Sequence, residues 1–315
     1  MCEATGVAPL PVFLIHYDAP HWVRSAAKSI LASDIEVDLT VISNSGPVTV
    51  PGARVMVTDR NVGYAGGGNI AFREWLSGSE PFVLVGSHDL HVEPDALRLL
   101  RVAMEANETV GIAGPLMPDA PGGQAGDGTV TWLSGQGAMY RRECIEEIGG
   151  FDERFGSYTE DREIGERASS RFGWSLVRVD DAHAHGLGSA IGDEWAVRRR
   201  FWPGTVGLER KLRGDRAGLQ AIADHTMYLR SAVRHMTVSL IRRRPDWRYH
   251  ARHIAERART LPACVHFYFR FRASTEWNAL APEPAGRRIV RWRRPAHNFR
   301  RGLRRREGSG LGSGS

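Results

Sequence analysis

Short apolar runs alternate with helical patterns over the first half of the chain. Residues 11–15, 37–42 and 81–85 are nearly continuous apolar runs, which is typical of strands buried on both faces. Further strands are predicted at 53–57, 110–113 and 175–179, and helices at 21–31, at 64–76 and from Pro94 to 106, with proline in its favoured first turn. This βαββαβαβ order predicts an α/β fold, in which helices cover both faces of a mostly parallel sheet.

The pattern changes beyond Gly192. One face of a long helical pattern carries Leu219, Val233 and Leu240, with arginines between them. Residues 265–271 then alternate apolar and polar side chains, and this period of two predicts a strand-like or interfacial segment. We therefore divide the chain into an α/β domain at 1–192, a basic and mainly helical extension at 193–306, and a Gly/Ser-rich tail at 307–315 that we expect to be disordered.

Charge divides the chain at the same place. Residues 1–192 carry 14 Lys+Arg and 26 Asp+Glu, whereas the rest of the chain carries 28 Lys+Arg and 10 Asp+Glu. The net charge of +6 is therefore the sum of an acidic domain and a basic extension. A basic surface of this kind suits nucleic acid, an anionic lipid surface or a phosphorylated acceptor. A solvated basic surface without any partner is the simpler alternative.

The cysteines and the apolar runs indicate the compartment. Cys2, Cys144 and Cys264 lie far apart, which argues against a disulfide framework or a thiolate zinc site and fits a reducing compartment. The first residues lack the pattern of a signal peptide, and no apolar run approaches the roughly 18–20 residues that cross a bilayer. We expect a cytoplasmic protein.

Polar residues follow the predicted strands, where ligands bind in open α/β sheets. They are His16 and Asp18 after the first strand, Ser43 and Asn44 after the second, Asn61 to Asn69 after the third, and Ser87, His88, Asp89 and His91 after the fourth. Asp89 is a lone carboxylate at a strand end, a position suited to a hard divalent cation between diphosphate oxygens. Its alternative role is to cap the next helix.

Two further polar groups lie later in the chain. Glu160 and Asp161 fall at a predicted helix start, where the helix dipole stabilises carboxylates. His183 and His185 follow the predicted strand at 175–179. A purely local role is the alternative for all four residues, as it is for His16, His88 and His91.

These segments together resemble the family 2 glycosyltransferases of the GT-A fold, in particular the rhamnosyltransferase-like branch. The run Asn61-Val-Gly-Tyr-Ala-Gly-Gly-Gly-Asn69 is similar to that branch's N-x-G-F-A-G-G-N-N element, and residues 82–97 resemble its strand, acidic metal motif and P-D-A-L helix start. Residues 133–174 match its G-Q-G-A, G-G-F-D-E and E-D block, and residues 179–188 its histidine-containing tail. The likeness extends in consistent order over residues 10–195.

The resemblance implies a Rossmann-like GT-A domain and an inverting transfer from a nucleoside diphosphate sugar, such as a dTDP-sugar (dTDP-rhamnose among them) or a UDP-sugar. The acceptor would be a hydroxyl on a glycan, a lipid-linked glycan or a secondary metabolite. Asp161 would be the general base with Glu160 beside it, and Asp89 and His185 would hold Mg²⁺ or Mn²⁺. The donor-binding residues would be His16, Asp18, Ser43, Asn44, Asn61, Gly63, Gly67, Gly68 and His88, and the acceptor side would include Trp132, Gly135 and Gln136.

Three departures from the family pattern leave the donor and the metal dependence open. Ser43 stands where the family usually has an acid, Asp89 is the single carboxylate of the metal motif, and Glu163 stands where an Asp is common. Two alternatives remain at this point. One is a catalytically impaired, glycosyltransferase-like binding protein, and the other is a metal-dependent hydrolase using His88, Asp89, His91, His183 and His185. Contact with an anionic membrane surface at its cytoplasmic face and a homodimer are further hypotheses, whereas nucleic acid is not expected.

Overall fold

A computed structural model describes residues 8–118, 123–124, 130–186, 194–271 and 289–292. Its strands are β1 (Leu10–His16), β2 (Val37–Ser43), β3 (Arg54–Thr58), β4 (Phe82–Ser87), β5 (Leu90–Val92), β6 (Val110–Leu116), β7 (Gly123–Gln124), β8 (Val130–Trp132), β9 (Gly137–Arg141), β10 (Ser175–Gly186) and β11 (Ile289–Trp292). Its helices are α1 (Pro20–Leu31), α2 (Gly63–Leu76), α3 (Ala96–Ala106), α4 (Arg142–Ile148), α5 (Glu160–Phe172), α6 (Glu194–Arg213), α7 (Asp215–Ile241) and α8 (Trp247–Arg270).

The main sheet has the order β11-β3-β2-β1-β4-β9-β6-β10-β5. The pairs β3–β2, β2–β1, β1–β4 and β6–β10 are parallel, whereas β9 pairs antiparallel with both β4 and β6. The two edge strands, β11 and β5, are also antiparallel to their neighbours. The parallel half places the carboxyl ends of β1, β2, β3 and β4 along one edge, as predicted for the ligand site.

Helices cover both faces of the sheet, as the continuous apolar strands predict. One core packs α1 and α3 against the face of β1 that carries Leu10, Val12 and Leu14. The opposite core packs α2, α4 and α5 against the face that carries Phe13 and Ile15. Alternate residues of β1 are thus buried in different cores, which explains why its sequence shows no polar alternation.

The basic extension is helical, as expected, and packs on the α/β domain. Helices α6, α7 and α8 contact one another, and Leu208 and Leu212 of α6 form a small core with Phe155 and Phe271. The predicted boundary at 192/193 and the Gly/Ser tail at 307–315 lie outside the described residues. Among the described residues, no helix has both the length and the apolar character needed to cross a membrane.

Two predictions of secondary structure are wrong. The alternating segment at 265–271 belongs mostly to α8, because Cys264, Phe267 and Phe271 share one face at helical spacing and pack inward, whereas Phe269 is exposed. Strand β10 does not stop at Val179 but continues to Gly186, so His183 and His185 lie within a strand. Strand β9 was not predicted at all.

Candidate active site

The start of α5 positions the two acids. Tyr158 and Thr159, directly before it, have positive φ angles of 73° and 83°, a strained conformation for a β-branched residue. Thr159 is buried against Gly204 of α6, where any side chain larger than hydrogen would collide with its hydroxyl. The close approach of α6 therefore holds this turn and fixes the direction in which Glu160 and the next residue leave it.

The two acids differ in their surroundings. Both oxygens of Asp161 accept backbone N–H groups, from Gly135 at 3.0 Å and Arg162 at 2.7 Å. Burial raises the pKa of Asp161, and these N–H donors oppose the rise. Glu160 is 4% exposed, its Oε2 has no hydrogen-bond partner among the described residues, and burial raises its pKa well above the ordinary range. We infer that Asp161 carries the negative charge and that Glu160 is neutral.

A single turn connects Asp161 with Asp89. Gly135 donates its N–H to Asp161, and the carbonyl oxygen of the next residue, Gln136, accepts the N–H of Ser87 at 2.9 Å. The Ser87 hydroxyl in turn donates to Asp89 Oδ1 at 2.5 Å. Asp89 and Asp161 are 72 positions apart in the sequence, yet a short chain of hydrogen bonds through this turn and Ser87 connects them.

Tyr64 lies beside this turn and was not predicted as a site residue. Its hydroxyl donates to the Gly135 carbonyl oxygen. Burial is the main cause of its raised pKa, and Tyr140, Glu160, Asp161 and Asp89 add to the rise. Its signal in the sequence was its aromatic side chain within the run Asn61 to Asn69, at the start of α2.

The loop after β1 is held by two buried histidines. His16 accepts the Ala19 N–H at Nε2 (3.2 Å), so its Nδ1 carries the proton and donates to Ser43 Oγ at 3.0 Å. Burial lowers the pKa of His16 to about 4, and burial also lowers the pKa of His88, whose ring lies at the Ile15 carbonyl. Both are neutral supports of the loop, whose exposed residues next to His16 are Tyr17 and Asp18.

The polar residues beyond β2 and β3 are connected to the start of α2. Asn44 donates to the Gly63 carbonyl oxygen at 3.1 Å, and Asn61 Oδ1 accepts the Gly63 N–H at 2.8 Å. Gly63 has a φ of +73°, and a Cβ there would lie 2.6 Å from the Gly156 carbonyl oxygen. Only glycine fits, and the contact ties the loop before α2 to the segment that leads into the acid pair.

His185 lies on β10 opposite His91 of β5, and their ring centroids are 4.6 Å apart. Next to it, the Gln136 amide nitrogen occupies the space 2.7 Å from where a Cβ of Gly186 would be. The predicted residues Gln136, His185 and Asp89 therefore lie in one region of the molecule, on or next to the turn that connects the two carboxylates.

Comparisons with known proteins bear on the fold and on the class of protein. No family model matches the chain. The chain is 26% identical to the N-acetylglucosaminyl-diphospho-decaprenol L-rhamnosyltransferase of Mycobacterium tuberculosis, over 55% of this chain and 74% of that protein. Its fold is similar to that of a mannosyltransferase from Pyrobaculum calidifontis in complex with GDP-Man and Mn²⁺, with a TM-score of 0.55, 16% identity, and coverage of 84% of this chain and 89% of the other. The chain is a glycosyltransferase homologue with the GT-A fold.

A second solved structure, of GalNAc-T7 with UDP, GalNAc and Mn²⁺, gives a TM-score of 0.51 at 12% identity, covering 66% of this chain and 48% of the other. Within this GT-A domain, two predicted donor glycines have a packing role. A Cβ on Gly67 would lie 2.7 Å from the Ile15 side chain, and one on Gly68 would lie 2.6 Å from the Phe151 ring. They let α2 pack closely on β1 and on Phe151, and this packing explains the glycines without a donor contact, which stays a prediction.

Asn69 clamps the same helix to the following loop. It donates to the Phe151 carbonyl oxygen at 2.9 Å and accepts the Phe151 N–H at 2.8 Å. Trp132, a predicted acceptor-side residue, packs against Gly165 of α5, where a Cβ would lie 2.9 Å from the Trp132 Cα. Both contacts hold elements around the acid pair rather than adding a reactive group.

The predicted metal residues suit a cation site that a ligand and water complete, rather than a site closed by the protein alone. The described residues contain no group of three or more His, Cys, Asp or Glu side chains able to hold a metal. Asp89 and His185 offer one carboxylate and one imidazole, and the buried Nδ1 of His91 beside His185 has no hydrogen-bond partner within the described part of the chain. Such a set fits a cation whose other ligands come from a diphosphate and water. It does not support the hydrolase alternative, which needs a histidine-rich site held by the protein alone.

Glu160→Gln is expected to stabilise the protein above neutral pH. The folded state raises the pKa of Glu160, so this carboxyl binds its proton more tightly in the folded protein than in the unfolded chain. The protein therefore loses stability as pH rises from the ordinary pKa of a glutamate to the raised pKa of the folded state. Glutamine is neutral at every pH, so we expect a gain on the order of 1–3 kcal/mol at about pH 8 that shrinks towards about pH 4. Thermal denaturation over this range, with the exposed Glu108→Gln as control, measures it. A gain of equal size at both pH values would contradict the buried-acid interpretation.

Proposed function

We propose that the protein is an inverting glycosyltransferase that moves a sugar from a nucleoside diphosphate donor to an acceptor hydroxyl. The observation that carries the proposal is the turn at Gly135 and Gln136, which contacts Asp161 directly and Asp89 through Ser87. One carboxylate then lies beside the donor diphosphate and the other beside the incoming hydroxyl. These are the two places where a direct displacement gains or loses charge.

Asp161 acts as the general base. The acceptor oxygen forms a bond to the anomeric carbon while the bond from that carbon to the diphosphate oxygen breaks, and the hydroxyl proton passes to Asp161. The diphosphate leaves with the bonding electron pair. A carboxylate with a raised pKa is the better base at neutral pH, and the Gly135 N–H holds it in place. A divalent cation, when held by Asp89 and His185, supplies positive charge to the leaving diphosphate.

The donor and acceptor are proposed on the relative from M. tuberculosis and on the residues of the site. That relative is an L-rhamnosyltransferase whose name gives a decaprenol-linked acceptor. We propose a dTDP- or UDP-linked sugar, with rhamnose the first candidate, and a lipid-linked glycan as acceptor. Asp18 and Asn61 lie on the exposed side of the loops that would meet the nucleoside. A lipid-linked acceptor implies action at a membrane surface, whereas the cytoplasmic face and a homodimer stay predictions.

A thermal-shift screen of nucleoside diphosphates, with and without Mg²⁺ or Mn²⁺, tests the donor site. A ligand that binds only the folded state, present at a concentration of 100 times its Kd, adds about 2.7 kcal/mol to the free energy of unfolding. The temperature midpoint of unfolding must therefore rise. We expect TDP or UDP to raise it, and the cation to enlarge the rise. Asp89→Asn keeps an acceptor for Ser87 but removes the charge, so it should abolish the cation-dependent part.

Asp161→Asn is the matched control in this screen, because it makes the same chemical change on the acceptor side and should leave the nucleotide response intact. If none of the nucleoside diphosphates raises the midpoint in the presence of either cation, the proposed donor site is wrong. If Asp89→Asn and Asp161→Asn lose the cation response equally, the division of roles between the two carboxylates is wrong.

A further inference from the structure

The turn between α7 and α8 presents apolar side chains to solvent. We call residues 240–248 the hairpin tip. Ile241 is 77% exposed, Leu240 48% and Trp247 37%, although aliphatic and indole side chains of this size are usually buried. All three lie within eight positions at one end of a helical hairpin, so these exposed apolar side chains are concentrated in one short segment.

The same turn is strongly basic. Arg242, Arg243, Arg244 and Arg248 are all exposed there, and the guanidinium of Arg248 lies 5.6 Å from the Trp247 ring centroid. Asp246 is the single acid of the hairpin tip, and its carboxylate lies 3.8 Å from His250 Nε2. Apolar side chains surrounded by arginines suit a surface whose apolar groups enter a membrane interface while its arginines bind anions.

Backbone hydrogen bonds give the hairpin tip a defined shape. The N–H of Arg244 bonds to the Ser239 carbonyl oxygen at 2.8 Å, and that of Arg243 to the Leu240 carbonyl oxygen at 3.1 Å. Arg243 has a φ of +52°, in the region that helix ends normally fill with glycine. This is a Schellman closure with an arginine at its left-handed position, so the turn holds its apolar and basic side chains outward before any partner binds.

We propose that the hairpin tip docks the protein on an anionic phospholipid surface, with Leu240, Ile241 and Trp247 entering the interface and the arginines contacting lipid phosphates. Tryptophan and aliphatic side chains flanked by arginine suit the boundary between headgroups and acyl chains. A second copy of the chain fits less well, because a two-fold contact would bring two sets of four arginines together. Nucleic acid would engage the arginines but leaves exposed Ile241 and Leu240 without a role.

This surface adds a partner to the proposed function. If the acceptor is lipid-linked, docking by the tip holds the enzyme at the bilayer where that acceptor lies, and this link rests on the proposed function. Lipid binding itself does not depend on it, because no residue of the hairpin tip belongs to the candidate active site.

The test is flotation of the full chain with vesicles of phosphatidylcholine alone or with about 30% phosphatidylglycerol, at about 0.15 M salt. We expect binding to the anionic vesicles only. Arg242→Gln with Arg244→Gln should weaken it about 30-fold, since each basic residue contributes roughly a factor of five at such a surface. Ile241→Ser should weaken it about tenfold or more through lost burial of the side chain.

Matched variants on α3 serve as controls. Arg98→Gln with Arg101→Gln removes the same charge, and Val102→Ser removes an apolar side chain that is 51% exposed, so both should bind vesicles like the wild type. The hairpin variants should keep the thermal-shift response to nucleoside diphosphates. That readout separates failure of the docking proposal from failure of the proposed donor site.

Three results would overturn the docking proposal. The first is equal binding of the hairpin and α3 variants to anionic vesicles. The second is a single-stranded RNA oligonucleotide that binds the tip while vesicles do not. The third is a dimer in solution that Ile241→Ser dissociates, with no vesicle binding by the wild type.

Discussion

Asp161→Asn should lower the rate of sugar transfer by about 10²–10⁴, the usual contribution of a positioned general base, while donor binding stays unchanged. Asparagine has nearly the same shape and retains one oxygen for the Gly135 N–H, but it cannot take the acceptor's proton. The wild-type rate should also fall as pH drops through the pKa of Asp161, which burial has raised. In the variant, this acidic limb of the pH profile should disappear.

Asp180→Asn makes the same chemical change at an exposed carboxylate that pairs with Arg178, and its transfer rate should equal that of the wild type. The rates are best measured with the donor that gives the largest thermal shift, by release of the nucleoside diphosphate in the presence of acceptor. Transfer by Asp161→Asn at the wild-type rate, with the same acidic limb, would show that another group removes the proton.

Much of the α/β domain could be predicted because its strands are buried on both faces and its helices alternate with them. Strand β9 could not, because Gly137–Arg141 has no pattern of its own and is defined by pairing antiparallel with both β4 and β6. Pairing of this kind depends on residues far away in the sequence. The end of α8 shows the same limit, since the short aromatic stretch at 265–271 fits both a helical and a strand period until its packing partners are known.

The candidate site was predicted mainly through ordered motifs, and its connections were not. The resemblance gave Asp89 and Asp161 complementary roles, but nothing in the sequence indicated that Gly135 and Gln136 connect them or that Tyr64 lies beside this turn. Glycines in a donor-side motif suggest close approach of a ligand. At Gly67 and Gly68 the close approach is by other side chains of the chain itself, and only the tertiary structure reveals it.

Glu163 stands where the resemblance expects an aspartate, and its buried ion pairs explain why a glutamate suits this position. They also predict the second large effect, a loss of stability on substitution of Arg167. Glu163 is fully buried, and Arg167 binds its two oxygens at 2.8 and 3.0 Å. Lys211 of α6 forms two ion pairs, one with Glu163 at 2.7 Å and one with Asp152 at 2.7 Å. Burial alone would raise the pKa of Glu163, but Arg167 and Lys211 outweigh it and lower the pKa. This charge cluster joins the helix that carries Asp161 to the basic extension.

Arg167→Met should destabilise the fold by about 3–5 kcal/mol, because among the described residues it leaves the buried carboxylate paired with Lys211 alone and frees the carbonyl oxygens of Ile148 and Gly150. Denaturant unfolding at about pH 7 measures the loss. Because the folded-state pKa of Glu163 is lowered, its contribution is present above its ordinary pKa and disappears as pH falls through the folded value. The penalty of Arg167→Met should therefore shrink in acid, where the carboxyl becomes protonated.

Two further variants separate the buried charge from the loss of packing. Arg178→Met breaks an exposed pair with Asp180 and should cost about 1 kcal/mol or less. Combining Glu163→Gln with Arg167→Met removes the uncompensated charge, so the double variant should recover part of the stability that Arg167→Met loses. If the double variant is less stable than Arg167→Met by the full cost of Glu163→Gln, the two residues act independently and the buried ion pair does not hold α5 in place.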